Sequence, residues 1–238
     1  MSVAELGIGF DVTAEELAAI SARWENEPPE AVLRWSLKEF GPDIALATGF
    51  GAEGCVLIHM VSLINKNARI FYLDTDLLFP ETYRLCAQLE ARLGVRLERR
   101  ASRLSLGDQS REYGERLWEQ APDTCCRLRK VEPLRETLTG LRAWITAIRR
   151  DQTRARRQAG VVERDRKFGL IKINPLATWS TSDVWRYLEQ NEVPYNPLYD
   201  AGYASIGCAP CTTVVQIGED PRAGRWRGLM KTECGLHQ

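Results

Sequence analysis

Residues 43–54 read DIALATGFGAEG, an apolar run followed by a glycine-rich turn. The run Asp43–Thr48 has the pattern of a buried strand, and the residues near Gly54–Asn65 have that of a helix. Glycines let the backbone come close to an anion, and the N-terminus of the following helix offers free N–H groups and the positive end of its dipole. The turn therefore predicts an anion site, suited to a phosphate or a sulfate, after the first strand.

The same turn also fits a dinucleotide-binding pattern. Gly49, Gly51 and Gly54 have the spacing G-x-G-x-x-G, and Asp74 stands at the end of the next predicted strand, where such sites place a ribose-binding carboxylate. At this point three alternatives are open: a nicotinamide or flavin nucleotide site, a simple anion site, and a tight turn without a ligand.

Predicted strands and helices alternate along the chain after this turn. A second strand, Arg69–Asp74, leads through Pro80 into a helix that stops at Gly94. This alternation predicts an α/β fold with a mostly parallel sheet that helices cover on both faces. Further strands are expected at Val95–Glu98, Arg142–Ile148 and Leu170–Ile173, with helices near Arg127–Leu138 and Ser182–Asn191.

The chain divides into three predicted segments of one structural domain. An N-terminal helical segment covers residues 1–42 and includes a capping-box pattern from Thr13 to Glu16. A nucleotide-binding α/β domain covers 43–200, and a C-terminal tail covers 201–238. Because a long irregular segment attached to a compact domain is more often functional than decorative, we expect functional residues in this tail.

The composition excludes several classes of protein. The 238 residues include 32 basic and 32 acidic side chains, seven cysteines and two histidines. No apolar run is long enough to span a membrane, and the first residues lack the pattern of a secretory signal. We therefore expect a cytoplasmic protein without a membrane partner. In such a protein, metal binding or catalysis explains the cysteines better than disulfides do.

Four of the cysteines form two pairs. Cys125 and Cys126 are adjacent, whereas Cys208 and Cys211 form a C-x-x-C motif. Two such pairs favour a four-thiolate site, either for zinc or for an iron–sulfur cluster. Adjacent side chains diverge, which suits the separated corners of a cluster better than a single tetrahedral ion. Cys55 and Cys86 lie in apolar helical stretches and are expected to pack in the core.

The seventh cysteine, Cys234, lies near the end of the chain. Lys231 and His237 stand three positions away on either side, and cationic neighbours favour the nucleophilic thiolate. Two readings are open, a catalytic nucleophile and an exposed thiol without a role. Upstream, Arg222 and Arg225 could form an anion clamp or a solvated basic turn.

Ordered motifs between residues 43 and 237 carry a family resemblance. They include Leu73-Asp74-Thr75, Phe79-Pro80-Glu81-Thr82-Tyr83, Cys125-Cys126-Arg127-Leu128-Arg129-Lys130, Arg149-Arg150-Asp151-Gln152 and Pro194-Tyr195-Asn196-Pro197-Leu198. The most specific are Ile206-Gly207-Cys208-Ala209-Pro210-Cys211-Thr212, Arg222-Ala223-Gly224-Arg225-Trp226 and Glu233-Cys234-Gly235-Leu236-His237. With these motifs the chain resembles the assimilatory sulfonucleotide reductases, and among them the adenylyl-sulfate (APS) reductases of the iron–sulfur type.

The resemblance implies a fold and a reaction. The fold is that of the adenine nucleotide α-hydrolase-like proteins, which are related to the ATP pyrophosphatases. In the implied reaction Cys234 attacks the sulfur of APS, AMP leaves, and an S-sulfocysteine remains on the enzyme. Thioredoxin or a glutaredoxin-like protein then attacks this adduct and releases sulfite. The resemblance also implies a role in sulfate assimilation and cysteine biosynthesis, and a homo-oligomer.

The resemblance also implies a cofactor and a set of binding residues. One 4Fe–4S cluster per chain, with a structural and electrostatic role, is held by Cys125, Cys126, Cys208 and Cys211. Cations bind the phosphosulfate, and the turn supplies hydroxyl and backbone donors. Two residues at the end of the second strand face the adenosine. By matching position, the cations are Arg157, Arg222 and Arg225, with Lys130 nearby. The turn residues are Thr48, Gly49 and Gly51. The residues that face the adenosine are Leu73 and Thr75.

This chain departs from the family pattern at three positions. Gly49 and Gly54 stand where Ser and Asp are common, and Asp76 stands where Gly is common. Because these two glycines create the apparent dinucleotide pattern, we interpret that pattern as accidental and the anion site as real. An added carboxylate at Asp76 is unfavourable beside an anionic substrate unless it points away.

Several other functions compete with APS reduction. The closest is reduction of the 3′-phosphorylated substrate PAPS, or of both substrates. Enzymes restricted to PAPS generally lack the four cluster cysteines, which are all present here. More distant alternatives are a nicotinamide or flavin oxidoreductase and a zinc-stabilised module that binds nucleotides or nucleic acid through the basic residues between 127 and 167. The leading interpretation requires no nucleic acid.

Overall fold

Six strands form one sheet in the computed structural model, which describes residues 12–231 and 233–236. The strand order is β3-β2-β1-β4-β6-β5. All neighbouring strands are parallel except β5, which runs antiparallel to β6 at one edge. The predicted, mostly parallel α/β sheet is therefore confirmed. The strands are β1 (Ile44–Thr48), β2 (Ile70–Asp74), β3 (Leu97–Ala101), β4 (Ala143–Ile145), β5 (Val162–Asp165) and β6 (Leu170–Ile173).

Nine α-helices lie within the described residues. They are α1 (Ala14–Trp24), α2 (Pro29–Phe40), α3 (Ala52–Ile64), α4 (Pro80–Leu93), α5 (Leu106–Tyr113), α6 (Leu117–Gln120), α7 (Pro122–Cys126), α8 (Glu132–Leu138) and α9 (Thr181–Gln190). A π turn, Arg127–Val131, joins α7 to α8. Among the described residues, no helix is both long and apolar enough to cross a membrane. The capping box predicted from Thr13 and Glu16 is present at the start of α1.

The central strands alternate their side chains between two cores. Leu46 and Ile70 pack in the larger core, to which α2, α3, α4 and α9 contribute. Ala45, Phe71 and Trp144 point to the opposite face, where they pack with apolar residues of α8. The period of two is the geometry of a strand buried on both faces, and it explains why these segments are almost wholly apolar.

Some predicted elements differ from those in the structure. The third strand begins later than expected, at Leu97, and the fourth is shorter than the expected Arg142–Ile148. The antiparallel strand Val162–Asp165 was not expected, because its central residues Glu163 and Arg164 are polar and only its ends are buried. This pattern is typical of an edge strand. Central strands are predicted from continuous apolar runs, so that criterion does not detect it.

The strand order positions the functional site. From β1, the chain continues to β2 on one side and later reaches β4 on the other. In an open parallel sheet, loops leave in opposite directions at such a reversal and open a crevice at the carboxyl ends of the strands. The turn after β1 and the segment after β4 therefore flank one crevice.

A buried asparagine attaches the segment after α9 to the rest of the domain. Asn196 is fully buried, its Nδ2 donates to Thr82 Oγ1 at 3.0 Å, and its Oδ1 accepts from the N–H of Leu198 at 3.1 Å. Thr82 lies in the first turn of α4, so this side chain joins the loop to a helix beside the crevice.

We expect Asn196→Ala to lower the free energy of unfolding by about 1–3 kcal/mol, because two buried polar groups lose their partner. Urea denaturation measures this change. Asn191→Ala is the matched control, since Asn191 is exposed and only donates to the carbonyl of Tyr187. The control should change stability by no more than about 0.5 kcal/mol. Equal effects of the two variants would contradict the anchoring role.

Candidate functional site

A cavity of about 920 Å³ lies at the carboxyl ends of the central strands. The loops after β1, β2 and β4 form its base, and residues of the C-terminal tail form its opposite wall. The structure thus brings together residues that are far apart in the sequence. The predicted site residues that line it are Thr48, Gly49, Gly51, Leu73, Thr75, Lys130, Cys208, Arg222, Arg225 and Cys234.

Arg157 is the predicted binding residue that the structure places elsewhere. Its side chain is exposed and does not line the cavity, whereas that of its neighbour Arg156 is partly buried and does. Both residues belong to the end of a 3₁₀ turn, in which successive side chains point about 120° apart. The cation that faces the cavity is therefore Arg156, one position before the predicted one.

The turn after β1 is compact because of a threonine and a glycine. Thr48 Oγ1 accepts a hydrogen bond from the N–H of Phe50 at 3.1 Å. A Cβ at Gly54 would lie only 2.6 Å from that same oxygen. The Thr48 hydroxyl therefore leaves no room for a side chain at position 54. This explains why the chain has glycine there, where the family commonly has Asp. At Gly49, by contrast, an added Cβ would contact nothing within 4 Å.

The start of α3 keeps its N–H groups close to the cavity. The N-cap residue of this helix is Gly51, which has no side chain with which to cap it. The N–H of Ala52 donates to the Tyr199 hydroxyl at 3.1 Å, and both residues line the cavity. The N-terminus of α3 therefore faces the cavity, as the glycine turn predicts.

The two acidic residues after β2 do not line the cavity. Asp74 accepts from Arg99 Nε at 2.6 Å and from the Tyr83 hydroxyl at 2.7 Å. Burial alone would raise the pKa of Asp74, but these hydrogen bonds hold it below its ordinary value. The Asp74 carboxylate therefore binds protein groups instead of a ribose. Because a dinucleotide site needs this carboxylate for the ribose, the contacts argue against the dinucleotide alternative.

Asp76 also points away from the cavity and is neutralised by two arginines. Its carboxylate accepts from Arg99 Nη2 at 2.6 Å and from Arg129 Nη1 at 2.8 Å. The backbone of Asp76 has φ = +56°, a conformation in which Gly is the commonest residue and Asp is tolerated. This geometry explains how the chain accommodates an acid where the family pattern has glycine.

Arg129 anchors the π turn to the end of β2. Its guanidinium is almost completely buried and donates to the carbonyl of Thr75 at 3.2 Å and to Gln109 Oε1 at 2.7 Å. π turns inside helices are often found at functional sites because they change the direction of side chains locally. Here the π turn carries Lys130 into the cavity wall.

The four paired cysteines lie close enough to influence one another's titration. Burial, followed by the neighbouring thiolates of Cys126, Cys208 and Cys211, raises the pKa of Cys125 to about 12. Burial and Cys208 raise the pKa of Cys211 to about 11. All seven cysteines are free thiols, and burial raises the pKa of Cys55 to about 12, as expected for a core residue.

Cys208 is the cysteine most strongly affected by cations. Burial alone would raise its pKa, but Lys130, the Thr75 hydroxyl and Arg225 together bring it below its ordinary value. Thr75 Oγ1 lies 3.3 Å from Cys208 Sγ. Among the described residues, no three or more His, Cys, Asp or Glu side chains are grouped so that they could hold a metal ion.

Lys130 links these cysteines to the tail. Burial alone would lower the pKa of Lys130, but the neighbouring Cys208 and Cys234 raise it above its ordinary value. The lysine therefore remains charged between a cysteine of the C-x-x-C motif and the tail cysteine. It is a fixed positive charge at the point where sulfur chemistry would take place.

The tail lies over the cavity. Cys234 is partly buried and lines it, the carbonyl of Gly235 accepts from Lys167 Nζ, and Leu236 packs against the core that contains Phe71 and Trp144. The predicted nucleophile, Cys234, thus lines the same cavity as Arg222 and Arg225. His237, which was expected to be a cationic neighbour, lies outside the described residues.

Arg225 owes its position to a glycine on the neighbouring segment. Its Nη1 lies 3.4 Å from the carbonyl of Ile206, and its guanidinium lies 4.6 Å from the centre of the Trp226 ring. A Cβ at Gly207 would lie 2.5 Å from Arg225 Cζ. The glycine of the Ile206–Thr212 motif therefore makes room for a cation of the cavity.

Arg149, Tyr199 and Glu233 are among the cavity-lining residues that were not predicted as site residues. Arg149 is buried and donates to Glu53 Oε1 at 3.0 Å, while Tyr199 accepts from the start of α3. Glu233 lies between Arg156 and Arg222. Arg149 and Glu233 stand inside quoted motifs and Tyr199 directly follows one, so the motifs could have indicated them as well.

The sequence of the cavity-forming region matches a known domain. Residues 43–214 match the model of the phosphoadenosine phosphosulfate reductase domain. The chain belongs to this family. Its fold and the cavity at the carboxyl ends of its strands are therefore those of a sulfonucleotide reductase.

Two relatives show the range of names in this family. An adenosine 5′-phosphosulfate reductase of Salinibacter ruber is 47% identical over 226 residues, which cover 94% of this chain and 90% of the relative. A phosphoadenosine 5′-phosphosulfate reductase of Gloeobacter violaceus is 44% identical over 233 residues, covering 97% of this chain and 96% of the relative.

Solved structures confirm the fold. A phosphoadenylyl-sulfate reductase of Candida auris, in complex with phosphate, has a TM-score of 0.77 and 31% identity, covering 88% of this chain and 100% of that one. An FMN adenylyltransferase of Candida glabrata has a TM-score of 0.58 at 15% identity, covering 86% of this chain and 69% of that one. The second likeness concerns the fold alone and agrees with the predicted adenine nucleotide α-hydrolase-like class.

We expect Gly207→Ala to weaken the binding of inorganic sulfate to this sulfonucleotide reductase about tenfold, because Arg225 is displaced and one charge-assisted hydrogen bond is lost. The rise in melting temperature with sulfate concentration measures this affinity. Gly107→Ala is the control, since an added Cβ there makes only an ordinary contact at 3.7 Å. The same sulfate response in both variants would be inconsistent with the packing of Gly207 against Arg225.

Proposed function

We propose that this protein is a thioredoxin-dependent APS reductase that forms sulfite and AMP in assimilatory sulfate reduction. The observation that carries the proposal is the position of Cys234, a free thiol beside Lys130 in the same cavity as Arg222 and Arg225. A nucleophile and several fixed cations around one cavity are the requirements of sulfur transfer from an anionic nucleotide.

In the proposed complex the cations bind the charged part of the substrate. Arg222, Arg225 and Arg156 surround the sulfate and phosphate, and the start of α3 offers backbone N–H groups to the same oxygens. Leu73 and Thr75, at the end of β2, then contact the adenosine. Catalysis in this arrangement comes from positioning and from cations that do not need to reorganise.

The reaction proceeds in two displacements. The Cys234 thiolate attacks the sulfur of APS, a sulfur–sulfur bond forms, and the bond from sulfur to the bridging oxygen breaks. AMP leaves with the electron pair of that bond on its phosphate. A thiolate of thioredoxin, or of a glutaredoxin-like protein, then attacks the Cys234 sulfur and releases sulfite. This attack leaves a mixed disulfide between Cys234 and the reductant. The second thiol of the reductant then attacks the reductant's sulfur in that disulfide, which frees the Cys234 thiolate and leaves the reductant oxidised, so that two electrons pass from the dithiol to the sulfur.

The proposal of a multi-iron cluster rests on the chemistry of four cysteine thiols, which is the donor set that such a cluster takes. Cys125, Cys126, Cys208 and Cys211 are thiols close enough to perturb one another, and Thr75 offers a hydroxyl to Cys208. They would hold the 4Fe–4S cluster, whose separated corners accept diverging thiolates more readily than a single ion does. When bound, the cluster supplies structural anchoring and an electrostatic environment for the segment that carries Lys130.

The presence of all four cysteines supports APS rather than PAPS as the substrate. The named relatives include reductases of both kinds, and either substrate places a phosphosulfate in the same cavity. Gly49 and Gly54 change the family's hydroxyl and carboxylate pattern in the turn. The homo-oligomer and the cytoplasmic location that the resemblance implies stay predictions.

Incubation with APS in the absence of a reductant should leave a covalent sulfonate on Cys234, which intact-protein and peptide mass spectrometry detect. The same incubation with PAPS tests the choice of nucleotide, and we expect much less adduct. Cys234→Ser should form no adduct and no sulfite, whereas Cys86→Ser, which changes a core thiol, should retain both. An adduct on another cysteine, or turnover by Cys234→Ser, would contradict the mechanism.

Protein purified without oxygen should be brown and contain about four iron atoms per chain. Cys208→Ser should lose the colour and most of the iron, because one of the four ligands is missing. Cys86→Ser serves again as the control and should keep both. Colourless protein that contains zinc would show that the thiolate site is not an iron–sulfur site.

A further inference from the structure

The carboxylate of Glu233 lies between two arginines of the cavity. Its Oε2 is 3.2 Å from Arg156 Nη2 and 3.2 Å from Arg222 Nη2. The three side chains are 15%, 14% and 21% exposed, in that order, so the ion pairs are largely shielded from water. Salt therefore screens them less than it screens pairs on the surface.

This arrangement imitates the binding of a substrate anion. A carboxylate oxygen shared by two guanidinium groups has the charge and the acceptor geometry of a sulfate or phosphate oxygen. The imitation is incomplete, because Glu233 Oε1 is buried and has no hydrogen-bond partner within the described residues. A substrate anion with more oxygens can satisfy the same guanidinium groups more fully.

The position of Glu233 couples this contact to the nucleophile. Glu233 and Cys234 share a peptide bond, so that their Cα atoms are about 3.8 Å apart. When Glu233 leaves the two arginines, Cys234 must move with it. Among the described residues, other contacts of this segment include the Lys167 interaction with Gly235, the packing of Leu236 and the approach of Cys234 to Lys130.

We propose that Glu233 is a displaceable counter-ion that closes the tail over the cavity until the substrate's anionic group replaces it on Arg156 and Arg222. The proposal rests on the proposed function and adds a residue that regulates access to the same site. Displacement frees the tail segment, and Cys234 becomes mobile when a substrate is present.

The proposal has a consequence for affinity. While the carboxylate occupies the arginines, only the fraction of molecules with Glu233 displaced can bind the substrate fully, and the apparent dissociation constant rises accordingly. If about one molecule in ten is open, Glu233→Gln, which keeps the shape and removes the charge, should tighten binding about tenfold.

The first experiment measures APS binding by calorimetry to Cys234→Ser and to the double variant Glu233→Gln/Cys234→Ser, in which no turnover occurs. Glu219→Gln in the same background is the matched control. Glu219 also lies in the tail and accepts from Arg227 at 2.8 Å, but it is not a cavity residue. We expect about tenfold tighter binding with Glu233→Gln and unchanged binding with Glu219→Gln. Unchanged or weaker binding with Glu233→Gln would overturn the proposal.

The second experiment does not depend on the identity of the substrate. Iodoacetamide alkylation of Cys234, followed by mass spectrometry without substrate, should be several times faster in Glu233→Gln than in the unmodified protein and in Glu219→Gln. The measurement is made at the same pH for every variant. Equal rates would overturn the counter-ion role. Faster alkylation in a protein that does not bind APS would support the counter-ion role and reject the proposed function instead.

Discussion

The arrangement of the site depends on the interaction of the Lys130 ammonium group with two cysteines. This group lies between Cys208, a member of the C-x-x-C motif, and Cys234, the tail thiol, and their negative charge raises its pKa although burial would lower it. The lysine thereby joins the cysteine cluster, the tail and the anion cavity. Because a partly buried cation needs compensating charge, thiolates at Cys208 and Cys234 and the charge of Lys130 stabilise one another.

Lys130 is held in place by backbone geometry and by a neighbouring arginine. The π turn Arg127–Val131 interrupts what would otherwise be one helix, and Arg129 anchors that turn to the end of β2. Arg129 also compensates Asp76, which the positive φ angle directs away from the cavity. Arg129, which lies in the same π turn as Lys130, therefore compensates the negative charge that Asp76 adds where the family has glycine.

Anionic groups of the protein compete for the cations of the cavity. Glu233 occupies Arg156 and Arg222, and the thiols interact with Lys130 and Arg225. On our proposal, a multiply charged substrate displaces weaker anions from preorganised cations, and binding is then an exchange of partners rather than the filling of an open site. Gly207 and Gly54 contribute by leaving room for Arg225 and for the Thr48 hydroxyl, where a larger residue would push these groups aside.

The sequence by itself determined the α/β class, because alternating apolar and amphipathic segments leave few other ways to bury them. It also determined the glycine turn, the paired cysteines and the tail cysteine, since these depend on residue type and spacing. It missed the edge strand Val162–Asp165 and placed the cavity cation at Arg157 instead of Arg156. The direction of a side chain in a turn depends on its exact phase, which no pattern of residue types encodes.

The tertiary structure alone decided which charges meet. Asp74 and Asp76 are held by arginines of other segments, whereas Glu233 returns from the end of the chain to the cavity. These contacts join residues that lie 11 to 77 positions apart, and their geometry follows from the strand order and the packing of the tail. Local sequence can place a charge on a segment, but only the folded chain determines its partner, because electrostatic interaction depends on distance and burial.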